Sequence, residues 1–156
     1  MLTTNRLKIS PISINQLKEI VNNEKDQILK QAYQEMLDGC LNHPENHLWH
    51  TLWMMELKES GNEVIGNLSF KGLPDNGIVE IGYGMQDDYK NQGYMTEAVD
   101  ALVKWASEQP GVKQIEAEAE ETNHASIRVL EKCNFIPNGK MGEEGIRFVW
   151  NGKHIE

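Results

Sequence analysis

The chain is short of cysteine, of positive charge and of long apolar runs, and each shortage excludes something. Two cysteines, Cys40 and Cys133, are too few for a disulfide framework. With no charged-then-apolar leader pattern at the start, the redox setting expected is cytoplasmic. The longest apolar stretch, LWHTLWMM at 48–55, is too short to cross a bilayer and is broken by His50, so no membrane partner is expected. Against 24 acidic side chains stand 15 basic ones, a net charge of -9, whereas a surface that coats nucleic acid needs the reverse. A cationic partner suits that balance, although solubility alone explains it equally well. No G-x-x-x-x-G-K-S/T run occurs, and GYGMQD at 82–87 supplies only Gly82 and Gly84 of a dinucleotide fingerprint, so P-loop and Rossmann chemistry are both set aside.

What is present reads as one soluble domain: 156 residues, 39% hydrophobic and 25% charged, enough to bury a core without staples. Leu7 and Ile9 alternate with Arg6 and Lys8 as a first strand. Ser13 and Gln16 then form a capping box ahead of Ile14, Leu17, Ile20 and Val21 at helical spacing. A second helix carries Ile28, Leu29, Ala32, Tyr33, Met36 and Cys40; it is expected to end near Gly39, with a loop over 42–46. From Leu48 the pattern predicts three antiparallel strands, LWHTLWMMELK, EVIGNLSF and IVEIGYGM. A helix with the stripe Ala98, Ala101, Leu102, Trp105 and Ala106 follows, stopped by Gln109-Pro110-Gly111. VKQIEAEAE then alternates Ile115, Ala117 and Ala119 with Glu116, Glu118 and Glu120 as a strand. A helix over 124–133 and strands around 135–136 and 146–150 complete the chain. The strand, helix, strand crossover makes the fourth and fifth strands parallel neighbours, so the expected fold is α+β, a mixed sheet of about seven strands with about four helices.

The segment YKNQGYMTEAVDALVKWA at 89–106 changes character halfway, a polar turn around Gly93 running straight into an amphipathic helix. The first N–H groups of a helix have no partner inside it, and its dipole puts partial positive charge there. Gly93 has no Cβ and accepts a positive φ, so a phosphate can come close while Asn91, Gln92 and Tyr94 offer N–H groups on a tight curve. Hydrogen bonds to a charged acceptor contribute about 1.5–3 kcal/mol each, so three or four amides with Lys90 beside them suffice for a pyrophosphate. Taken alone, Gly93 is equally a turn glycine and Lys90 a solvated charge. A second constellation, ETNHASIRVLEKCNF at 121–135, places Asn123 where a strand gives way to a helix, with Ser126 on its first turn. An asparagine amide both donates and accepts, which suits an amide-bearing chain laid beside the strand; plain N-capping accounts for the same residue.

Both constellations, together with NRLKISPISINQL, EVIGNLSF and IVEIGYGMQDDYKNQGYMTEAV, resemble a GNAT-family N-acetyltransferase of the RimJ/RimL-like branch, over nearly the whole chain and in family order. The resemblance implies one GNAT-type domain over 1–156, its fourth and fifth strands splayed around acetyl-CoA. The family's pyrophosphate loop falls on Lys90, Asn91, Gln92, Gly93, Tyr94 and Met95, with Thr96 following. Lys90 keeps a donor where Gln or Arg is usual, and Met95 stands where a small residue is usual. Tyr83, Gly84 and Met85 match the segment that pairs with the pantetheine arm, Asn123 matches the asparagine that contacts it, and Asn134 takes the place of a glycine before Phe135. The implied chemistry is direct attack of a primary amine on the thioester in a ternary complex, with no covalent enzyme intermediate. Many relatives protonate the leaving thiolate with a tyrosine one turn beyond Ser126; here that residue is Leu130, which leaves Ser126. For the base, Glu118 stands where some relatives carry a catalytic glutamate, and Glu80 on the fourth strand is the alternative. The implied acceptor is a protein N-terminus or a small-molecule amine. A rival reading, motivated by Met95, Leu130 and Asn134, keeps the acyl-CoA cradle as a binding module without transfer.

Weaker signals remain. Cys40, His43, His47 and His50 lie close together, but their spacing matches no zinc pattern and no metal is expected. Trp49 and Trp53 share a face of the expected strand, as core or as acceptor-pocket wall. Cys133 is expected to be buried and unreactive, and at least one of Glu116, Glu118 and Glu120 to be a solvated charge. The oligomeric state stays open, a homodimer included.

Overall fold

The structure, a computed structural model, describes residues 1–152; the domain expected over 1–156 runs four residues beyond them. Eight strands form one mixed sheet in the order β1-β2-β3-β4-β5-β6-β8-β7. They are β1 (Leu2–Thr3), β2 (Leu7–Pro11), β3 (Leu52–Leu57), β4 (Glu63–Phe70), β5 (Ile78–Met85), β6 (Gln114–Ala119), β7 (Phe135–Met141) and β8 (Ile146–Trp150). The strand beyond the expected seven is the two-residue edge β1, too short to carry an alternation. Four helices complete the fold: α1 (Ile14–Asn23), α2 (Gln27–Asn42), α3 (Tyr94–Ser107) and α4 (His124–Lys132). The capping box forms as expected, Ser13 Oγ accepting from Gln16 N–H at 3.1 Å and Gln16 Oε1 from Ser13 N–H at 2.8 Å. Among the described residues no helix is long and apolar enough to cross a membrane.

Boundaries differ from expectation at β7, which runs on from the expected 135–136 to Met141, and at two earlier places. Helix α2 passes Gly39 and ends at Asn42. Gly39 is there for close packing, since a Cβ on it would meet His50 Nδ1 at 2.4 Å. Residues Pro44–Trp49 then form a 3-10 turn, not the start of a strand; Pro44 pre-sets φ at its first position, and His50 N–H closes onto His47 O at 3.0 Å. Trp49 therefore leaves the expected strand, yet it still meets Trp53's neighbour: Trp105 lies 5.2 Å from Trp49 and 4.9 Å from Trp53, ring centre to ring centre. The histidines of this turn are used locally. His47 Nε2 lies 2.9 Å from Ile12 O, and the His43 and His50 rings stack at 5.3 Å.

Alternation along the strands divides the core between the two faces of the sheet. Helices α3 and α4 cover one face, where Ala98, Val99, Leu102 and Leu130 pack on Val79, Ile81, Ala117 and Ala119. Helices α1 and α2 cover part of the other through Leu17, Val21, Leu37 and Cys40, against Ile12 and Leu52. The parallel pair is what positions a site. β5 and β6 are paired only at Ile78–Gln114, Val79–Ile115 and Glu80–Glu116. Beyond these, β5 stays with β4 as far as Met85 and β6 turns to β8 as far as Ala119. The two strands splay, and the unpaired edge of β5 faces the gap.

Candidate active site

Helix α3 begins at the open end of that gap. Gly93 is its N-cap with φ 82° and ψ 1°, a left-handed conformation that costs other L-residues about 1–2 kcal/mol. Asn91 shares the left-handed region at φ 64°, so two bends with Gln92 between them turn the chain sharply into the helix. The first helical bond runs from Glu97 N–H to Gly93 O at 3.1 Å, and the N–H groups ahead of it have no helical partner. Arg6 clamps the turn from the side. Its Nε donates to Glu97 Oε1 at 2.9 Å, its backbone N–H to Glu97 Oε2 at 2.8 Å and its Nη1 to Gln92 O at 3.0 Å, while the guanidinium lies 4.1 Å over the Tyr94 ring. Burial by itself would raise the Glu97 carboxyl, but hydrogen bonds from Thr4 and Arg6 outweigh it and hold the group below the usual carboxylate range.

Between this turn, the free edge of β5 and the start of α4 lies a cavity of about 400 Å³. Tyr83, Gly84 and Met85 form its strand side; Lys90, Asn91, Gly93, Met95 and Thr96 its α3 side; Asn123 and Ser126 its α4 side. Gln92 and Tyr94 do not line it; Arg6 holds the carbonyl of one and the ring of the other. Met95 is 5% exposed and belongs to the core as well as to the wall. Asn123 caps α4, its Oδ1 accepting from Ser126 N–H at 3.1 Å, which leaves its amide NH2 as a donor. Asn134, past the end of α4, has φ 69°, which asparagine tolerates where the resemblance led us to expect glycine. Tyr83 places its phenol 3.0 Å from Ser126 Oγ, and burial pushes that phenol up to about 12. Cys133 donates to Thr96 O at 3.4 Å, and burial pushes its thiol up to about 12, so it is no nucleophile.

Two lining cations escaped the sequence reading. Arg128 and Lys132 share one face of α4 at i, i+4 spacing with Ala125 and Val129, a pattern visible only once that face is known to line the cavity. With Lys90 they make three cations on a wall that holds no carboxylate, in a chain whose net charge is -9. Lys90 is paired with Asp87 at 2.8 Å; among the described residues neither Arg128 nor Lys132 has an ion-pair partner.

The two candidate bases lie elsewhere. Glu80 and Glu118 project from the sheet face opposite α3 and α4 and do not line the cavity. There Arg147 reaches Glu80 at 2.8 Å, Glu118 at 2.9 Å and Glu116 at 2.6 Å, and Lys71 meets the other Glu80 oxygen at 2.9 Å. Glu118 also accepts from Glu144 N–H at 2.5 Å. The Arg147 hydrogen bond, aided by that N–H, holds its carboxyl below the usual range against the opposing effect of burial. Glu120 is the solvated member of the row.

A splayed parallel pair, with a cation-lined cavity at the head of the crossover helix, marks a mixed-sheet α+β domain of a ligand-binding class. The family model "Acetyltransferase (GNAT) domain" matches residues 7–136, and the chain belongs to that family. It is 37% identical over 92 residues, 58% of this chain and 54% of the other, to the uncharacterized N-acetyltransferase YjdG of Bacillus subtilis. The chain thus spans about half the length of the curated relatives it matches. Its fold is shared with an acetyltransferase of Agrobacterium tumefaciens, at TM-score 0.72, 19% identity and coverage of 97% and 94% of the two chains. The RimL ribosomal L7/L12 alpha-N-protein acetyltransferase in complex with coenzyme A is similarly related, at TM-score 0.70, 15% identity and coverage of 95% and 93%.

Proposed function

We propose that this protein transfers an acetyl group from acetyl-CoA to a primary amine by direct attack in a ternary complex. The observation that carries the reading is the cavity itself: first-turn N–H groups with no partner inside their helix and three cations, with no carboxylate among the described lining, at the end of an open strand edge. Such a donor set fits a diphosphate followed by an amide-bearing arm. The N–H groups around Gly93, with Lys90, would hold the diphosphate; the β5 edge at Tyr83, Gly84 and Met85 and the Asn123 amide would align the arm. Acetyl-CoA supplies the acetyl thioester, which a neutral amine attacks with release of the thiol. Ser126 would donate a hydrogen bond toward the developing thiolate. On the opposite face, Glu80 and Glu118 would attract the acceptor ammonium and receive its proton, directly or through water. A carboxylate held by Arg147 below its usual range is a weak base, so Glu118 works best in this role when its ion pair opens. The acceptor would be a protein N-terminus or a small-molecule amine.

Thiol release from acetyl-CoA, followed across a panel of amino-terminal peptides, polyamines and aminoglycosides, tests the proposal. Release that depends on one class of amine is expected. Tight acetyl-CoA binding with no amine-dependent release across the panel would instead mark a binding module, and no binding would sink the whole assignment.

A further inference from the structure

Tyr83 carries a hydroxyl that amide alignment along β5 does not use. It shares strand parity with the buried Ile81 and so faces α4. Its phenol oxygen lies 3.0 Å from Ser126 Oγ and 3.2 Å from the Ser126 carbonyl oxygen, so its single proton has two acceptors on one residue. In one arrangement the phenol donates to the carbonyl and the serine hydroxyl donates back to the phenol, which turns the serine proton away from the cavity. In the other the phenol donates to Ser126 Oγ, and the serine proton is free to point into the cavity that both residues line. The two interconvert by rotation about two C–O bonds, with no heavy atom moving. Leu130, one turn along α4, is fully buried and has no proton to offer.

Resting on the transferase reading above, we infer that Tyr83 is a positioning residue for the leaving thiolate, switching its hydrogen bond from the Ser126 carbonyl to Ser126 Oγ so that the serine hydroxyl donates to sulfur. As the C–N bond forms, the C–S bond breaks with its electron pair on sulfur. The acceptor ammonium gives up two protons in all, one passed by way of Glu80 or Glu118 to solvent and one that ends on the thiolate, and Tyr83 and Ser126 are left unchanged. A phenol pushed up to about 12 stays protonated through the neutral range and remains a donor throughout.

The test compares wild type, Tyr83→Phe, Ser126→Ala and the double variant on acetyl-CoA and on its selenoester analogue, whose selenolate leaves without assistance. With acetyl-CoA, Tyr83→Phe is expected to lower kcat by roughly tenfold to a hundredfold, near the lower end of what a positioned acid contributes, with KM for acetyl-CoA unchanged. With the selenoester the loss is expected to vanish, and the double variant to be no slower than Ser126→Ala alone. Equal losses on both donors, or losses that multiply in the double variant, would overturn the inference. Should Tyr83→Phe not fold, 3,5-difluorotyrosine at position 83 keeps the shape and is expected to draw the alkaline limb of the kcat profile to lower pH; an unmoved limb is equally fatal. If wild type itself releases no thiol with any amine, the transferase reading fails and this inference with it; normal turnover with an unaffected Tyr83→Phe removes the inference alone.

Discussion

Glu118 keeps its charge between the Arg147 guanidinium and the Glu144 N–H, beneath a loop whose Gly142 leaves no room for a Cβ. Unfolding returns it to an ordinary carboxylate with a pKa of about 4.3. Its folded value is lower, so the unfolded chain binds more protons and stability rises with pH through this window. The contribution is complete above the unfolded value and is lost as pH falls through the folded one. Glu118→Gln keeps the shape and removes the charge; it is expected to lower stability near neutral pH by on the order of 1–2 kcal/mol, a hydrogen bond to a charged group made neutral. The gap from wild type should close as the pH drops from about 5 toward 3. Urea midpoints across that range measure it, and a gap that stays constant would mean the carboxylate is not held down in the fold. Parity along β6 already placed Glu118 opposite Ala117 and Ala119, but nothing in the sequence named Arg147 as its partner. That contact depends on the register of β6 against β8, where Glu118 sits across from Arg147. The Tyr83–Ser126 contact was hidden for the same reason, since it joins a strand to a helix on the far side of the crossover.

At the scale of elements, the start of α3 was legible because its requirements are local: a left-handed residue, a helix with one apolar stripe, and no proline to interrupt it. The start of β3 was not, because Leu48–Trp49 is apolar enough for a strand while Pro44 and the His47 carbonyl close a 3-10 turn around it. The clamp on α3 was likewise invisible, since Arg6 belongs to a different element and reads from sequence as an outward strand charge. Arg6 spans Glu97, Gln92 O and the Tyr94 ring, which ties the Gly93 turn to the beginning of β2. Arg6→Ala is expected to weaken acetyl-CoA binding about tenfold, equivalent to about 1.4 kcal/mol, by releasing the turn. Arg6→Lys should lie close to Arg6→Ala, since a lysine has no planar fork for three partners. Calorimetric titration separates the cases; a lysine variant that binds like wild type would show that charge alone matters. Asn123→Ala tests the other helix. Loss of the cap should cost about 0.5–2 kcal/mol of folding stability, and thermal unfolding without ligand reads it directly.

For the whole molecule, the net charge of -9 opposes any polyanion at long range, whereas Lys90, Arg128 and Lys132 attract one at contact. The two effects respond differently to salt. A Debye length of about 8 Å at physiological ionic strength removes most of the distant repulsion, while close, partly shielded pairs keep more of their strength. In the wild type the contacts are expected to dominate, so acetyl-CoA affinity falls as salt rises. Replacing Arg128 and Lys132 together with alanine takes the net charge to -11 and deletes the two lining cations that lack ion-pair partners among the described residues. What remains is mainly the backbone amides, Lys90 and a more strongly repelling protein. The double variant is therefore expected to bind acetyl-CoA about fivefold to thirtyfold more weakly at low salt, two exposed charged contacts contributing roughly 0.5–1 kcal/mol each. Its salt dependence should reverse, affinity improving as the repulsion is screened. Titrations at about 0.05 and 0.5 M salt decide it. Parallel slopes for the two proteins would place the diphosphate away from the α4 face, and with it the direction in which the cofactor enters the gap between β5 and β6.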